Sequence, residues 1–363
     1  MSGAAVGDAM AGSPAPVAPS ASTVRVRELQ PADVARWDEF VNACGEATFF
    51  HRAGWKTVIE RAFGHRTFFL LAERDGRIEG VLPLAEMKSF LFGHTLVSLP
   101  FCVYGGIAAT SGAARAALDE AAAALARQLG VDNLEYRCAE PRHPDWQHTD
   151  LYVTFRKEID PDVERNLNAI PRKQRAMVRK AIKAELKGEL DHGVERFFAA
   201  YAESVHRLGT PVFAKRYFQI LREVFGPDCE VLTITQDGRL IASVLSFYFR
   251  DQVLPYYGGG TLAARATAGN DFMYWDLMRR ACERGIRVFD YGRSKRGTGA
   301  FDFKKNWGFE PQPLHYEYLM VRGERVAEHN PLNPKYALLI KAWRRLPLPL
   351  ANMIGPHIVK SLG

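Results

Sequence analysis

The chain states one design twice. Pro100, Gly130, Glu135 and Tyr136 return 155 positions later as Pro255, Gly285, Asp290 and Tyr291. Asp75-Gly76-Arg77 returns as Asp237-Gly238-Arg239, and each is followed by an apolar run, Val81 to Leu84 and Val244 to Phe247. Tyr104-Gly105-Gly106 has its counterpart in Tyr257-Gly258-Gly259. A helical pattern, a glycine and a short strand pattern then follow in both. One supersecondary plan used twice in 363 residues implies two like domains of ordinary size. A cleft between or within such domains is a usual place for a ligand.

The apolar periodicity fills in the plan. Asp-Gly between apolar runs is a hairpin cue. Leu118, Ala121, Ala122, Leu125 and Leu129 share one helical face over 113–129, and Tyr274, Leu277, Met278 and Ala281 share another, ended by Gly285 as a C-cap. Strand patterns lie at 68–72, 78–84, 95–99, 134–138 and 151–155, and again at 231–235, 240–249, 253–257, 288–291 and 314–321. Residues 160–226 show no strand signal and three helix patterns, at 172–187, 194–208 and 215–225. Helices alternating with strands predict an α/β (α+β) fold, two tandem domains with mixed sheets and a helical insert. The predicted divisions are a disordered tail (1–22), a first domain (23–158), a helical basic segment (159–228), a second domain (229–325) and a basic amphipathic C-terminal segment (326–363) broken at Pro347 and Pro349.

The net charge of +7 favours anionic partners: phosphate-bearing substrates, RNA or a lipid surface. Five scattered cysteines without metal-ligand spacing read as reduced thiols of a cytoplasmic protein, and no metal is expected. Residues 1–22 lack the basic start and apolar core of a signal peptide, and no 18-residue apolar stretch occurs. The expected location is the cytoplasm, including the inner face of the membrane.

Four sites can carry chemistry. Arg172, Lys173, Arg175, Arg179, Lys180, Lys183 and Lys187 fall within an arc of roughly 160° on an ideal helix. Such a stripe repels itself unless an anion answers it, so it reads as a phosphate-docking surface or as a solvated helix face. The second is Gly292 to Phe309. Arg293, Lys295 and Arg296 among glycines suit a phosphate or a plain surface loop. Within the same stretch, Lys304 between Phe303 and Trp307 suits an oxyanion stabiliser, with Lys305 pointing away if the segment is extended. The third is Tyr257-Gly258-Gly259-Gly260 leading to a helix start at Gly269-Asn270-Asp271, where free N–H groups hold pyrophosphate or Asp271 caps the helix. The fourth is His206, a general base or a surface histidine, with Asp290 and Tyr291 as further candidates at a strand end. Glu135 and Tyr136 hold the same places in the first copy, so a shared structural role competes there.

Ile170-Pro171-Arg172-Lys173-Gln174-Arg175, Leu208-Gly209-Thr210-Pro211-Val212-Phe213, and Phe289-Asp290-Tyr291-Gly292-Arg293 with Phe303-Lys304-Lys305-Asn306-Trp307-Gly308-Phe309 together resemble the FemAB family. These are relatives of the GNAT acetyltransferases, and the likeness is to the branch associated with exosortase (PEP-CTERM) and exopolysaccharide loci. It covers about residues 24–325. The resemblance implies a GNAT-type sheet in each half and acyl transfer to an amine, with the family lysine carried over to Lys304. It leaves the donor as aminoacyl-tRNA or acyl-CoA. The long coiled-coil insertion of the tRNA-dependent enzymes is missing here. Arg265 to Asn270 is at best a degenerate form of the acetyl-CoA signature.

Three function classes follow. The first is an acyl- or aminoacyltransferase acting on an amino group of a cell-envelope glycan or lipid-linked precursor. Lys304 would steady the oxyanion, and the Arg172–Arg179 cations would hold the carrier phosphates. The second is a non-catalytic protein that binds anionic glycan intermediates or a membrane, with Lys335, Lys341, Arg344 and Arg345 beside Trp343, Leu346 and Leu350 in the C-terminal segment. The third is RNA binding, which the stripe permits but no aromatic-interleaved motif supports.

Overall fold

The structure, a computed structural model, describes residues 23–89, 93–322 and 334–362. The first half runs β1 (Arg25–Glu28), α1 (Val34–Ala43), α2 (Gly54–Phe63), β2 (Thr67–Arg74), β3 (Arg77–Ser89), β4 (Gly93–Val97), β5 (Ala108–Ala109), α3 (Gly112–Leu129), β6 (Asn133–Cys138), β7 (Gln147–Thr149) and β8 (Tyr152–Glu158). Then come α4 (Val163–Ala169), α5 (Arg172–Lys183), β9 (Lys187–Asp191), α6 (Glu195–Leu208) and α7 (Lys215–Phe225). The second half holds β10 (Cys229–Gln236), β11 (Arg239–Phe249), β12 (Gln252–Gly260), α8 (Ala263–Thr267), α9 (Gly269–Glu283), β13 (Val288–Lys295), α10 (Gly299–Asn306), β14 (Pro311–Pro313) and β15 (His315–Met320). Two helices close the chain, α11 (Pro334–Trp343) and α12 (Leu348–Val359).

The duplication extends to sheet order, apart from β5, which pairs with β3 and has no counterpart in the second sheet. One sheet reads β1-β2-β3-β4-β6-β15-β7 and the other β9-β10-β11-β12-β13-β8-β14. Both opening hairpins turn on an Asp-Gly pair with two positive φ angles, 50° and 76° at Asp75 and Gly76, 50° and 74° at Asp237 and Gly238. That is the turn whose twist matches paired strands. Each hairpin carries a bulge at the matching place, Ala72/Glu73 and Ile234/Thr235. In each sheet one neighbouring pair is parallel, β4 with β6 and β12 with β13. The second of these pairs over only two residue pairs before β12 and β13 diverge.

The structure revises several of the expected divisions and elements. The sixth strand of each sheet comes from the other half: β8 lies between β13 and β14, and β15 lies between β6 and β7. The boundary at 158 therefore cuts just behind a strand of the second sheet, and 229–325 includes a strand of the first. The segment 159–228 also contains a fourth helix, α4, and an edge strand, β9, so it is not purely helical. Glu185, at φ 56°, ends the basic helix, and Lys187 belongs to β9. That strand escapes hydrophobic periodicity because polar pairs hold it: Thr233 and Thr235 donate to Asp191 and Glu189, and Arg196 bonds both carboxylates. Lys304 and Lys305, which would point to opposite sides if their segment were extended, lie on helix α10, which Thr298 caps through its hydroxyl. Pro347 separates the C-terminal helices; Pro349 sits in the first turn of α12, where proline costs no hydrogen bond, and Pro356 lies inside that helix. The expected tail at 1–22 and residues 323–333 lie outside the described residues.

Three apolar clusters fill the fold. One is shared by both halves, with Trp37, Phe49, Phe50 and Trp55 meeting Phe225, Phe247 and Tyr257. Phe49 stacks on Phe247 at 4.4 Å, and Trp55 lies 5.2 Å from Phe225. The second lies under α3 on the far face of the first sheet. The third lies on the far face of the second sheet, covered by α4, α5, α9 and α10. That outer face of the second sheet carries most of the candidate chemistry.

Candidate functional site

Helix α5 is amphipathic in the simplest way. Val178 and Ala181 are buried against the second sheet's outer core, and the opposite side carries Arg172, Lys173, Arg175, Arg179, Lys180 and Lys183. Two of these cations reach backbone carbonyls, Arg175 Nη1 to Asn168 at 2.6 Å and Lys180 Nζ to Ala266 at 2.8 Å. Among the described residues none of the six pairs with a carboxylate, whereas other arginines commonly do so, such as Arg61 with Glu223 and Arg284 with Glu230. A groove of about 510 Å³ is lined by Arg172, Arg175, Ala176, Arg179, Lys180 and Lys183. Uncompensated positive charge around open space is a standing attraction for phosphate.

The Lys180 bond ties this helix to α8, just before α9. Its other end is tied to α10, because Gly308, at φ 78°, leaves only enough room for the ring of Pro171 at the start of α5. Lys304 is therefore on a helix that ends against the basic one. Its ammonium lies 5.7 Å from the Phe155 ring centre and 6.0 Å from that of Tyr291. It donates to the carbonyls of Tyr291, Gly292 and Arg293 at 2.7, 2.9 and 3.1 Å. Those carbonyls are presented by a break in the β13–β8 register between Asp290 and Arg293. Burial pushes the Lys304 pKa down to about 7, against the pull of Asp290 and with the push of Arg293.

Around Lys304 lie the first turns of α9. Asp271 Oδ1 accepts from Trp307 Nε1 at 3.0 Å, and burial raises its pKa. Tyr274 packs edge-on against Tyr291 and Trp307 and tilted against Phe303, with centroids 4.9, 6.4 and 5.5 Å away. The Tyr291 hydroxyl and Asn270 Oδ1 are buried without a hydrogen-bond partner. Buried polar atoms usually have partners, so these two mark places where a bound group can supply one. Asp271, Tyr274 and Tyr291 are the residues that sequence reasoning undervalued. The signal was their place at a helix start and a strand end.

The remaining candidates separate. Asp290 is not open to substrate. Its carboxylate accepts from Tyr104 of the first half at 2.8 Å, from Gly292 N at 2.7 Å and from Thr154 at 3.3 Å. It braces the same bulge that Lys304 holds from the other side, and burial raises its pKa. His206 lies on α6, on the opposite face of the second sheet from Lys304, with Nε2 3.2 Å from the Trp343 carbonyl. That position serves the C-terminal helices and cannot reach an amine at Lys304. Tyr257 is also on the inner face, its hydroxyl 2.9 Å from that of Tyr217. Arg293 stacks over Tyr152 at 4.7 Å and bonds the Tyr316 hydroxyl at 3.1 Å, between the halves and away from the groove. Of the expected set, Arg172, Lys173, Arg175, Arg179, Asn270, Phe303, Lys304 and Trp307 share the outer face; Asp290, His206, Tyr257 and Arg293 do not.

The glycines of 258–260 serve packing. A Cβ on Gly259 would lie 2.8 Å from the Ala200 carbonyl of α6, and one on Gly260 2.5 Å from Asn270 Oδ1. The Tyr-Gly-Gly match is also looser than it looks, since Tyr257 lies within β12 while Tyr104 lies beyond the end of β4.

Comparison with known proteins agrees with this layout. Residues 171–305 match the acetyltransferase (GNAT) domain model, a stretch that runs from the start of α5 to the last turn of α10. No curated protein matches the chain. Among solved structures, FemX superposes with a TM-score of 0.66 at 15% identity, covering 82% of this chain and 98% of FemX. The C-terminal domain of a putative lysylphosphatidylglycerol synthetase from Agrobacterium fabrum gives 0.55 at 12% identity, covering 80% and 92%. A tandem GNAT protein from the clavulanic acid biosynthesis pathway gives 0.52 at 13% identity, covering 83% and 100%. At these identities the likeness establishes the fold, a mixed α/β tandem GNAT architecture.

Proposed function

We propose that this chain, a FemAB-related member of the GNAT family with its acetyltransferase domain at residues 171–305, transfers an acyl or aminoacyl group to an amine of a cell-envelope glycan or lipid-linked precursor. The observation that carries the reading is one lysine, held between Phe155 and Tyr291, on a helix followed by Gly308, which packs against Pro171 at the start of the basic helix α5. The amine nitrogen attacks the ester or thioester carbonyl of the donor and a C–N bond forms. The carbonyl oxygen becomes an oxyanion, which Lys304 steadies by exchanging one of its three carbonyl bonds. The C–O or C–S bond then breaks, and the proton lost by the amine is returned to the leaving oxygen or sulfur. Asp271, half-buried beside Trp307, is the carboxyl assigned to relay it. Arg172, Lys173, Arg175 and Arg179 hold the phosphates of the donor or the acceptor carrier.

Aminoacyl-tRNA and acyl-CoA both carry phosphate and both suit the groove. The exopolysaccharide and PEP-CTERM setting belongs to the same proposal and rests on the sequence resemblance in 165–215 and 285–310, while work on the cytoplasmic side rests on the five scattered cysteines. Native mass spectrometry with acyl-CoA, aminoacyl-tRNA and nucleotide sugars identifies the retained class. Lys304→Met should then lower turnover ~100- to 1000-fold with little effect on binding. In the parent protein the rate should fall as pH rises through about 7, where Lys304 loses its proton, and the residual rate of the variant should lack that limb. Unchanged turnover in Lys304→Met removes the lysine from the mechanism.

One observation favours the second reading, a binding protein without turnover. All three protons of the Lys304 ammonium are already taken by backbone carbonyls. On that reading ligand is retained, no product forms with any donor, and Lys304→Met lowers only stability.

A further inference from the structure

Residues 334–362 contain Lys335, Lys341, Arg344, Arg345 and Lys360 and no aspartate or glutamate. The two helices they form are docked by one side each. Ile340 on α11 and Arg344 just after it face the body: a Cβ on Gly209 would lie 2.5 Å from Ile340 Cγ2, and Arg344 Nη2 donates to the Leu208 carbonyl at 2.9 Å. On α12, Ala351, Gly355 and Val359 are buried at four-residue spacing, and Gly355 lies against Val212. His65 Nε2 holds the Lys360 carbonyl at 2.8 Å. The orientation of both helices on the body is thus fixed.

The opposite sides are apolar and basic together. Helical geometry places Leu338 and Leu339 away from Ile340, and Leu350 and Met353 away from the buried side of α12, while Lys341 and Arg345 are exposed. Leu338 is 77% exposed, Leu339 65% and Met353 64%. Single exposed apolar residues are ordinary. Several on two adjoining helices, flanked by cations and with no carboxylate in the whole segment, match the composition of surfaces that rest in the headgroup region of an anionic bilayer. No described helix is long and apolar enough to cross one.

We propose that the outward faces of α11 and α12 dock the folded protein on an anionic phospholipid surface, the leucines and Met353 entering the headgroup boundary and Lys341 and Arg345 meeting lipid phosphates. The proposal stands apart from the transfer reaction, since none of these residues belongs to the groove or to the Lys304 site.

The test is sedimentation of the full-length protein with vesicles of phosphatidylcholine alone or mixed with phosphatidylglycerol. Binding should require the anionic lipid and fall ~10-fold or more in two double variants, Leu339→Asp with Met353→Asp and Lys341→Glu with Arg345→Glu. Both pairs are solvent-facing, so circular dichroism and the thermal midpoint should match the parent protein. Charge reversal at Arg172, Arg175 and Arg179 should leave vesicle binding at half its parent value or more. The proposal is overturned if neither vesicle binds, if neutral vesicles bind equally, or if the protein pellets without vesicles. It also fails if the C-terminal variants bind like the parent while the α5 reversal abolishes binding.

Discussion

Lys304 and Asp290 stand on either side of one bulge in β13, and their roles divide along that line. Asp290 is spent within the protein: it joins Tyr104 and Thr154 to the Gly292 N–H, all of them donors to one buried carboxylate. Removing the Tyr104 hydroxyl leaves that carboxylate short of a partner. Tyr104→Phe should therefore cost about 1–3 kcal/mol of stability, read as a lower denaturant midpoint with an unchanged slope. Lys304 could be singled out in the sequence because aromatic residues flank it. Asp290 could not be assigned there, because its partner Tyr104 lies 186 positions away and only the folded chain brings them together. His206 failed for a similar reason. Its helix face was readable, but which face of the sheet that helix covers was not.

Helix α6 and helix α9 clamp β12 from its two sides, and the run Gly258-Gly259-Gly260 is what lets them close. At Gly259 a methyl group would meet the Ala200 carbonyl at 2.8 Å and Tyr201 Cα at 2.9 Å, both backbone atoms that cannot move alone. Gly259→Ala should destabilise by about 1–3 kcal/mol, measurable by thermal unfolding. The hairpins, α3, α6, α7 and α9 were legible because apolar period and turn chemistry agreed on them. Edge strand β9 was not, since its contacts are Thr–carboxylate and Arg–carboxylate pairs. Helix α10 was not either. Its N-terminal Thr298 stands between two glycines, which read as loop until the capping bond to Phe301 is seen. The basic face of α5 was legible in full except for its length, which Glu185 cuts short.

The two halves complete each other. Each sheet takes its sixth strand from the other half of the chain, and the largest core cluster draws aromatic residues from both. Neither half has all its strands alone. Residues 23–158 lack β15, which sits between β6 and β7, and 159–362 lack β8, which sits between β13 and β14. Fragments cut at 158 should each aggregate or stay unfolded through their unpaired edges, while co-expression should recover a soluble pair. A stable, cooperatively unfolding fragment on its own would contradict this. The tandem architecture was readable from the repeats, but the exchange was not, because strand patterns do not say which sheet a strand joins.

That exchange also sets an order of events during synthesis. Chains are made from the N-terminus and domains commonly fold as they emerge. Here the first sheet waits for β15, so an incomplete edge at β6 persists until residues 315–320 have left the ribosome. A pause or truncation late in translation would strand a nascent protein whose opening half was made early and finished last.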